Sequence, residues 1–300
     1  MDFDIVAEGL NFPEGPVVLD DGQLIVCEVA GGRLMRIARD GTLSVFAETG
    51  GSPSGLAVGP DGAIYCCNNG GFDWDSAPLI PTRTRPLPNA SRTSGGGMIQ
   101  RIDPSTSKVE TWLDSFEGRR FAGPNDLQFT PDGGFWFSDF GGWVDDGLRH
   151  GGLYRVDPDG SVRRSNFGLC LNGVGVSPDG KTVYGAATYE RWLLSFDASP
   201  EAGEQAGEVI ADFPRRQFLD SLAMEADGTV AVAAFMENPG IMRVNPTTGA
   251  VDHVPTPDEI TTNIAFGGAD MRDAYLSFSH GGTIARCRWP APGLRLPFNL

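Results

Sequence analysis

The feature that most constrains the fold of this chain is a turn that recurs six times along it. Five of the turns contain an Asp-Gly pair and the sixth is degenerate; they lie at Asp21-Gly22, Asp61-Gly62, Asp132-Gly133, Asp179-Gly180, Asp227-Gly228 and Asp270-Met271. Most are separated by roughly 40–50 residues, an interval typical of β-propeller blades. The sequence therefore predicts an all-β protein, a six-bladed β-propeller.

Each repeat accommodates four short antiparallel strands. In the third repeat we place them at about 125–129, 134–138, 152–156 and 161–167. The 41 glycines and 22 prolines interrupt the chain too often for long helices. Residues 3–7 should supply the outer strand of the last blade, whose own strands end near residues 284–289, and this pairing closes the ring. We expect residues 1–300 to form one propeller domain.

One interval between turns is much longer than the others and indicates an insertion in the second blade, about residues 70–97. The segment lacks a periodicity of its own. A loop of this length in a compact domain is usually a lid, a binding loop or disordered. The insertion starts at the same end of the propeller channel as the predicted active site, which is described next. We therefore favour a lid or a binding loop.

A polar residue lies seven positions before the Asp of every turn. These residues are Glu14, Ser54, Asn125, Asn172, Asp220 and Asn263, which we call the polar ring. Because a repeat superposes equivalent positions, the six should surround one axis. Oxygen atoms that converge from several sides are the ligands of a hard divalent cation. The ring therefore predicts a metal-dependent enzyme. The loops after each second strand should lie at the same mouth of the central channel as the ring, and the Asp-Gly turns should lie at the opposite mouth.

Several motifs, in order and in phase, resemble the senescence-marker-protein/gluconolactonase/regucalcin family of six-bladed propellers. They are Phe-Pro-Glu-Gly-Pro (12–16), Gly-Pro-Asn-Asp-Leu (123–127), Phe-Trp-Phe-Ser-Asp (135–139), Leu-Asn-Gly-Val-Gly-Val-Ser-Pro-Asp-Gly (171–180), Asp-Ser-Leu-Ala-Met-Glu-Ala-Asp-Gly (220–228) and Asn-Ile-Ala-Phe-Gly-Gly (263–268). Each motif alone is common turn or strand chemistry. Together they cover nearly the whole chain.

The resemblance implies one divalent cation at the channel mouth, held by Glu14, Asn125, Asn172 and Asp220. It favours Ca²⁺, with Zn²⁺, Mn²⁺ and Mg²⁺ as alternatives. It also implies hydrolysis of a sugar lactone or related cyclic ester. Animal members carry an arginine two residues before the second of these ligands to help hold a sugar, and this chain has Gly123 there. That departure weakens an assignment to gluconolactone or gulonolactone.

Within this reading, Asp220 is the general base toward an attacking water, because a carboxylate beside the metal can serve both roles. Glu14 is expected to bind the metal without taking part in proton transfer. Asp126 directly follows a ligand, so its side chain should point away from the channel into its blade and accept backbone hydrogen bonds. The predicted substrate-binding residues come from the ring and from the loops at its mouth: Asn263, Ser54, Phe72, Trp74, Trp143, Tyr189, Phe235 and His280.

Three polar residues end the second strands of the first three blades: Glu28, Asn68 and Asp139. We expect them either to support the ring or to make ordinary structural hydrogen bonds. The same scaffold could instead act on phosphotriesters, catalyse an isomerisation or bind calcium without catalysis. No GxSxG or HExxH pattern occurs, which argues against a serine hydrolase or a zinc protease of those types.

The net charge of −16 argues against nucleic acid and anionic membranes as partners. The expected partner is a small-molecule lactone or ester, and the expected oligomeric state is a monomer or weak homo-oligomer. The five cysteines include no CxxC pair, which favours reduced thiols. With no signal-peptide pattern at the N-terminus, the sequence predicts a cytoplasmic enzyme.

Overall fold

The computed structural model of the protein describes residues 1–72, 96–144, 147–214 and 216–299, with backbone alone for Trp143, Val144, Gly147 and Leu148. The predicted insertion at 70–97 therefore lies largely outside the described residues. Within them the chain forms six four-stranded antiparallel sheets and two short hairpins. The prediction of an all-β, six-bladed propeller is confirmed.

The N-terminal strand belongs to the sixth blade, and the strands and two short hairpins of the first three blades follow it along the chain. They are β1 (Asp4–Ala7), β2 (Pro13–Val18), β3 (Leu24–Glu28), β4 (Arg33–Ile37), β5 (Leu43–Glu48), β6 (Pro53–Val58), β7 (Ile64–Asn68), β8 (Met98–Ile102), β9 (Val109–Leu113), β10 (Ser115–Phe116), β11 (Arg119–Arg120), β12 (Pro124–Phe129), β13 (Phe135–Asp139), β14 (Gly142–Val144), β15 (Gly147–Arg149), β16 (Gly152–Val156) and β17 (Val162–Phe167). In the third blade the predicted boundaries agree with those observed to within one residue.

The remaining strands build blades 4 to 6, with one short 3₁₀ helix at Pro200–Ala202. They are β18 (Leu171–Val176), β19 (Thr182–Ala187), β20 (Trp192–Asp197), β21 (Glu208–Asp212), β22 (Gln217–Met224), β23 (Val230–Met236), β24 (Gly240–Val244), β25 (Val251–Pro255), β26 (Thr261–Gly267), β27 (Asp273–Phe278) and β28 (Thr283–Arg288). The described residues contain no helix long and apolar enough to span a bilayer.

The innermost strands of the blades are β2, β6, β12, β18, β22 and β26. Each contacts the innermost strands of its two neighbours, so the six surround a common axis. The sixth sheet has the order β1-β28-β27-β26, in which Asp4 pairs with Arg286 and Ile5 with Ala285. The N-terminal strand therefore closes the ring, as predicted.

The six repeated turns have one shared geometry. In each turn the second residue has a positive φ, and Met271 (φ 56°) takes the place that glycine holds in the other five. In each, the Asp side chain accepts a hydrogen bond from the amide two residues later, for example from Ala63 to Asp61 at 3.2 Å and from Thr229 to Asp227 at 2.9 Å. The turns are Asx-type caps of the inner hairpins, and the end of the molecule that they occupy is called the turn face.

Apolar side chains form six clusters, one between each pair of adjacent blades. The cluster between blades 2 and 3 is rich in aromatic rings, with Phe137 stacked on Tyr154 at a centroid distance of 5.0 Å. Cys66 and Cys67 project into different clusters, as strand alternation requires, and all five cysteines are free. The fold is therefore stabilised by blade-to-blade packing.

The chain beyond the last strand crosses the turn face. The Leu294 amide donates to the Met224 carbonyl at 2.8 Å, and the Phe298 ring lies edge-on to Phe129 at 5.9 Å. Leu294, Leu296 and Asn299 line a central cavity of about 70 Å³ together with residues of all six inner strands. This segment covers the lower end of the channel, and the polar ring lies toward the other end, here called the ring face.

Candidate functional site

A β-bulge occurs at the polar-ring position of all six inner strands. In blade 1, for example, Glu14 pairs with Cys27 but Val17 pairs with Ile25, so the inner strand carries one extra residue. The same extra residue occurs in the other five blades. Bulges re-aim side chains and are enriched beside active sites. The sequence repeat thus has a structural counterpart at the positions that we predicted to be functional.

The inner strands begin at the ring face, where the second strands end. Pro13 pairs with Glu28, Pro124 with Asp139, and Thr261 with Phe278. The loops that follow the second strands therefore lie at the same mouth as the polar ring. This arrangement agrees with the prediction that ring and loops share one face.

Glu14 is buried, with 3% of its surface exposed. Its Oε2 atom accepts hydrogen bonds from the Gly15 amide at 2.5 Å and from Asn263 Nδ2 at 2.8 Å. Burial raises the pKa of Glu14 to about 7, although its hydrogen bonds to Asn263, Gly15 and Thr262 act in the opposite direction. Two predicted ring members, Glu14 and Asn263, are therefore in direct contact.

The other predicted ligands come from blades 3, 4 and 5. Asn125 and Asn172 are buried, and Asp220 is partly exposed. The Asn125 Oδ1 atom is inaccessible to solvent and has no hydrogen-bond partner among the described residues. The Asn172 Oδ1 atom accepts a long bond of 3.5 Å from Ser221 Oγ. A buried carbonyl oxygen without a donor is costly unless something else binds it.

These residues fit a hard divalent cation. They offer two carboxylates and two carboxamide oxygens, the donor types that Ca²⁺ and Mg²⁺ prefer, and no described residue donates to the Asn125 oxygen. In the part of the chain that the structure describes, no group of three His, Cys, Asp or Glu side chains could hold a metal. Only two of the four predicted ligands, Glu14 and Asp220, are of those residue types. The ability of the four to hold a metal therefore depends on the oxygen atoms of Asn125 and Asn172.

Asp126 differs from the prediction that its side chain points into its own blade. It lines the central cavity. Its carboxyl group accepts hydrogen bonds from the Leu127 amide, at 2.9 Å, from the Val174 amide of blade 4 and from the Ser221 hydroxyl of blade 5. The bulge explains the difference, because the extra residue breaks the alternation on which the prediction relied. The predicted backbone hydrogen bonds are present.

Asp126 adds a third carboxyl group beneath the ring. Burial, together with the nearby charge of Glu14, raises the pKa of Asp126 to about 8. The carboxyl group interacts with Ser221, which directly follows Asp220 and also contacts Asn172. Asp126 thereby connects the strands that carry three of the four predicted ligands. Its place directly after the predicted ligand Asn125 was the signal available in the sequence.

The residues at the ends of the second strands hold the backbone just before the ring. Glu28 accepts from the Asn11 amide at 2.8 Å, and Asn68 accepts from the Ser52 amide at 3.1 Å. Asp139 accepts from the amides of Ala122, Gly123 and Gly141 at 2.7–2.9 Å. These hydrogen bonds fix the backbone of three inner strands just before Glu14, Ser54 and Asn125. Outer contacts of this kind orient metal ligands.

Aromatic rings form one wall at the ring face. Tyr189 lies edge-on to Phe140 at 5.4 Å and to Phe218 at 6.3 Å, and all three are partly exposed. Phe235 is fully buried and stacks on Phe218 at 5.6 Å. The sequence singled out Tyr189 and Phe235 but missed Phe140, directly after Asp139, and Phe218, two residues before Asp220.

The remaining predicted substrate residues are placed as follows. Ser54 is buried on β6, and Phe72 is partly exposed beside the start of the insertion. His280 is partly exposed on the loop after β27, and its amide donates to Asp258 at 3.3 Å. Burial raises the pKa of Asp258, against three backbone hydrogen bonds and the charge of His280. Trp74 and the Trp143 side chain lie outside the described residues.

The chain is similar to known lactonases. It is 25% identical over 251 residues to a gluconolactonase of Zymomonas mobilis, covering 75% of this chain and 63% of that protein. It is 27% identical over 241 residues to the lactonase drp35 of Staphylococcus haemolyticus, covering 76% and 64% respectively. The match thus spans just under two thirds of the length of these two relatives.

Two solved structures share the fold along nearly the whole chain. A gluconolactonase of Xanthomonas campestris superposes with a TM-score of 0.76 at 22% identity and covers 96% of this chain and 89% of that one. A calcium-binding protein, regucalcin, of Agrobacterium tumefaciens superposes with a TM-score of 0.73 at 18% identity, covering 99% and 96%. The model of the SMP-30/Gluconolactonase/LRE-like region matches residues 12–280. Because this match runs from the polar ring of blade 1 to the ring-face loop of blade 6, the chain belongs to the SMP-30/gluconolactonase/LRE-like family.

Proposed function

We propose that the protein hydrolyses a lactone, either a sugar lactone or a related cyclic ester, at the polar ring. The observation that carries the proposal is the set of polar side chains at six equivalent bulges, among which the buried Asn125 oxygen has no donor within the described ranges. Membership of the SMP-30/gluconolactonase/LRE-like family and the lactonases among the relatives support it. The organic substrate would enter at the ring face, because the C-terminal segment covers the turn face.

Glu14, Asn125, Asn172 and Asp220 would hold one divalent cation, with Ca²⁺ the first choice and Mg²⁺, Mn²⁺ or Zn²⁺ as alternatives. When bound, the cation supplies Lewis acidity toward an ester carbonyl oxygen. Asp139 holds the backbone just before Asn125, and Asn263, itself a ring member, donates to the carboxylate of Glu14. The two asparagines contribute oxygen atoms without adding charge.

Asp220 is the proposed general base. It is the partly exposed carboxylate of the ring, whereas Glu14 is buried and already accepts two hydrogen bonds. In the proposed reaction, a water oxygen forms a bond to the carbonyl carbon while Asp220 accepts the water proton. The bond between that carbon and the oxygen within the lactone ring then breaks. The leaving oxygen takes up a proton, and a hydroxy acid is released.

The proposed substrate contacts combine polar and aromatic groups. Asn263 and Ser54 would hydrogen-bond to the substrate or to the attacking water. Tyr189 and Phe218, with Phe235 packed behind them, would cover an apolar part of the substrate. Phe72 and His280 complete the proposed set within the described residues. This aromatic wall favours a lactone that is less polar than a free sugar acid lactone.

The test is hydrolysis of a panel of sugar and aliphatic lactones, followed by acid release at constant pH. Chelated protein should be inactive, and one divalent cation should restore turnover. The Asp220→Asn variant should lose at least about a hundredfold in kcat, as expected for removal of a general base. Asp227→Asn, in the turn that follows the same strand at the turn face, is the matched control and should retain activity. Cation binding without turnover of any lactone would contradict the proposed enzyme and favour a calcium-binding propeller.

A further inference from the structure

Buried hydroxyl groups connect neighbouring blades at the ring face. Each comes from a residue at the end of a second strand or directly after it, and donates to a backbone carbonyl on the inner strand of the next blade. The residues are Ser138 of blade 3, Thr188 of blade 4 and Ser279 of blade 6, and all three are buried. We call them the hydroxyl bridges.

Ser138 joins the two strands that carry the asparagine ligands. Its Oγ atom accepts a hydrogen bond from the Asp126 amide at 3.1 Å and donates to the Asn172 carbonyl. Asp126 directly follows Asn125 in blade 3, and Asn172 is itself a predicted ligand in blade 4. One side chain thus holds the backbone at both asparagines.

Thr188 joins blades 4 and 5 in a similar way. Its amide donates to the Cys170 carbonyl at 3.2 Å, on the chain that leads into β18 and Asn172. Its hydroxyl donates to the Leu219 carbonyl at 2.7 Å, and Leu219 directly precedes Asp220. The third ligand-bearing strand is therefore tied to the second.

Ser279 joins blade 6 to blade 1, across the seam where the ring closes. Its Oγ atom donates to the Pro13 carbonyl at 2.6 Å, and Pro13 directly precedes Glu14. The same Oγ atom lies 2.6 Å from the hydroxyl oxygen of Thr262, the residue before Asn263. This bridge therefore reaches the backbone beside ring members of both blades.

The hydroxyl bridges lie where sheet pairing alone holds the backbone poorly. The inner strands carry a bulge at the polar ring, and a bulge disrupts the ladder of main-chain hydrogen bonds. Buried carbonyl groups need donors, and the adjacent blade supplies one to each of these three strands. Together the bridges reach the backbone at or next to all four predicted cation ligands.

We propose that the hydroxyl bridges position the cation ligands and thereby set the affinity of the polar ring for its cation. The inference rests on the cation site of the proposed function. The four ligands come from four separate blades, so their oxygen atoms converge only while those blades keep their spacing. Loss of an outer contact that orients metal ligands typically weakens metal binding by about 10–100-fold.

Thr188 allows the hydroxyl to be tested apart from the size of the side chain. Thr188→Val replaces the hydroxyl by a methyl group of similar size, whereas Thr188→Ser keeps the hydroxyl and loses the methyl group. Calcium is titrated calorimetrically into chelated protein, and thermal unfolding of the same samples monitors the fold. Magnesium, manganese or zinc replaces calcium if wild type binds it more tightly. Thr188→Val should bind the cation at least about tenfold more weakly than wild type, and Thr188→Ser should stay within about threefold.

Ser138→Ala and Ser279→Ala extend the test to the other two bridges and should show the same loss of affinity. Ser165→Ala is the matched control. Ser165 is as buried as Ser279, but it lies on the outer strand of blade 3, where its hydroxyl accepts from Gln205 Nε2 at 3.3 Å. This variant should bind the cation within about twofold of wild type, even if its melting temperature falls.

The outcomes separate this inference from the function on which it rests. If all three bridges can be removed with affinity kept within about twofold, the inference is overturned while the cation site stands. An equal loss in Thr188→Ser and Thr188→Val would assign the effect to packing and would also overturn the role of the hydroxyl. If wild type binds none of the four cations, the cation site of the proposed function is overturned and the inference with it.

Discussion

At the scale of single residues, the site contains two buried carboxyl groups for which the described residues supply no cationic partner. Glu14 and Asp126 are both buried, and burial raises the pKa of the first to about 7 and that of the second to about 8. The Asn125 carbonyl oxygen has no donor among the described residues. All three groups would gain from a cation, which is the physical reason for placing one there.

The raised pKa values predict how pH affects the cation-free protein. Because the folded protein holds protons on Glu14 and Asp126 that the unfolded chain releases above pH about 4, these groups favour folding at low pH. Their contribution to the free energy of unfolding is lost as pH rises to about 8. Asn cannot ionise at this position, so Asp126→Asn should melt at nearly the same temperature as chelated wild type at pH 5 and at a higher temperature than wild type at pH 8.5, as measured by thermal unfolding.

A bound cation needs these carboxylates ionised, so protons compete with it. The gain in melting temperature on adding calcium should accordingly increase from pH 6 to pH 8. A gain that is independent of pH, or that falls over this range, would contradict the assignment of Glu14 as a ligand.

At the scale of the elements, the inner strands approach each other closely at the bulges. Gly15 follows Glu14 with φ +53°, and a Cβ there would collide with the Ser54 carbonyl oxygen of blade 2. Gly50 also has a positive φ, +65°, but nothing lies within 4 Å of its would-be Cβ. Alanine substitutions at these two glycines can thus separate the energetic cost of the left-handed backbone from the cost of the clash between blades.

Gly15→Ala should lower the free energy of unfolding by several kcal/mol, because the clash adds to the cost of a left-handed alanine. Gly50→Ala carries the conformational cost alone and should lose about 1–2 kcal/mol. Chemical denaturation of the two variants measures the difference. Equal losses would show that the strands can separate at the bulge without cost.

The closing strand β1 gives a second test at this scale. Deleting residues 1–7 removes the strand that pairs with β28 and exposes the edge of blade 6. We expect loss of cooperative unfolding or insolubility. Deleting Met1 and Asp2 alone leaves the strand and the Phe3–Phe278 contact at 5.5 Å and should be nearly neutral. A soluble, cooperatively folding product of the longer deletion would contradict ring closure by β1.

The elements also show how far the sequence could be interpreted. Strand positions, blade number and ring closure followed from the Asp-Gly period because the Asx turns need that chemistry at fixed places. The orientation of Asp126 did not follow, since a bulge is invisible to a rule of strict alternation. Phe140 and Phe218 were missed because their place in the aromatic wall depends on contacts between segments distant in the chain.

At the scale of the whole molecule, the fold brings one polar residue from each blade to the same height on a shared axis. The C-terminal segment covers the turn face, and the loops of the ring face surround the opening. Six clusters between blades hold this arrangement. The proposed active site is thus a property of the ring, and no single blade contains it.

The measurement that tests the central claim most directly is calorimetric titration of chelated protein with calcium, repeated with magnesium, manganese and zinc. Wild type should bind one cation per chain, and Glu14→Gln and Asn125→Leu should each lose at least about tenfold in affinity. Asp227→Asn, at the turn face, should bind as wild type does. Absence of stoichiometric binding for all four metals, or unchanged affinity in both ring variants, would contradict the account.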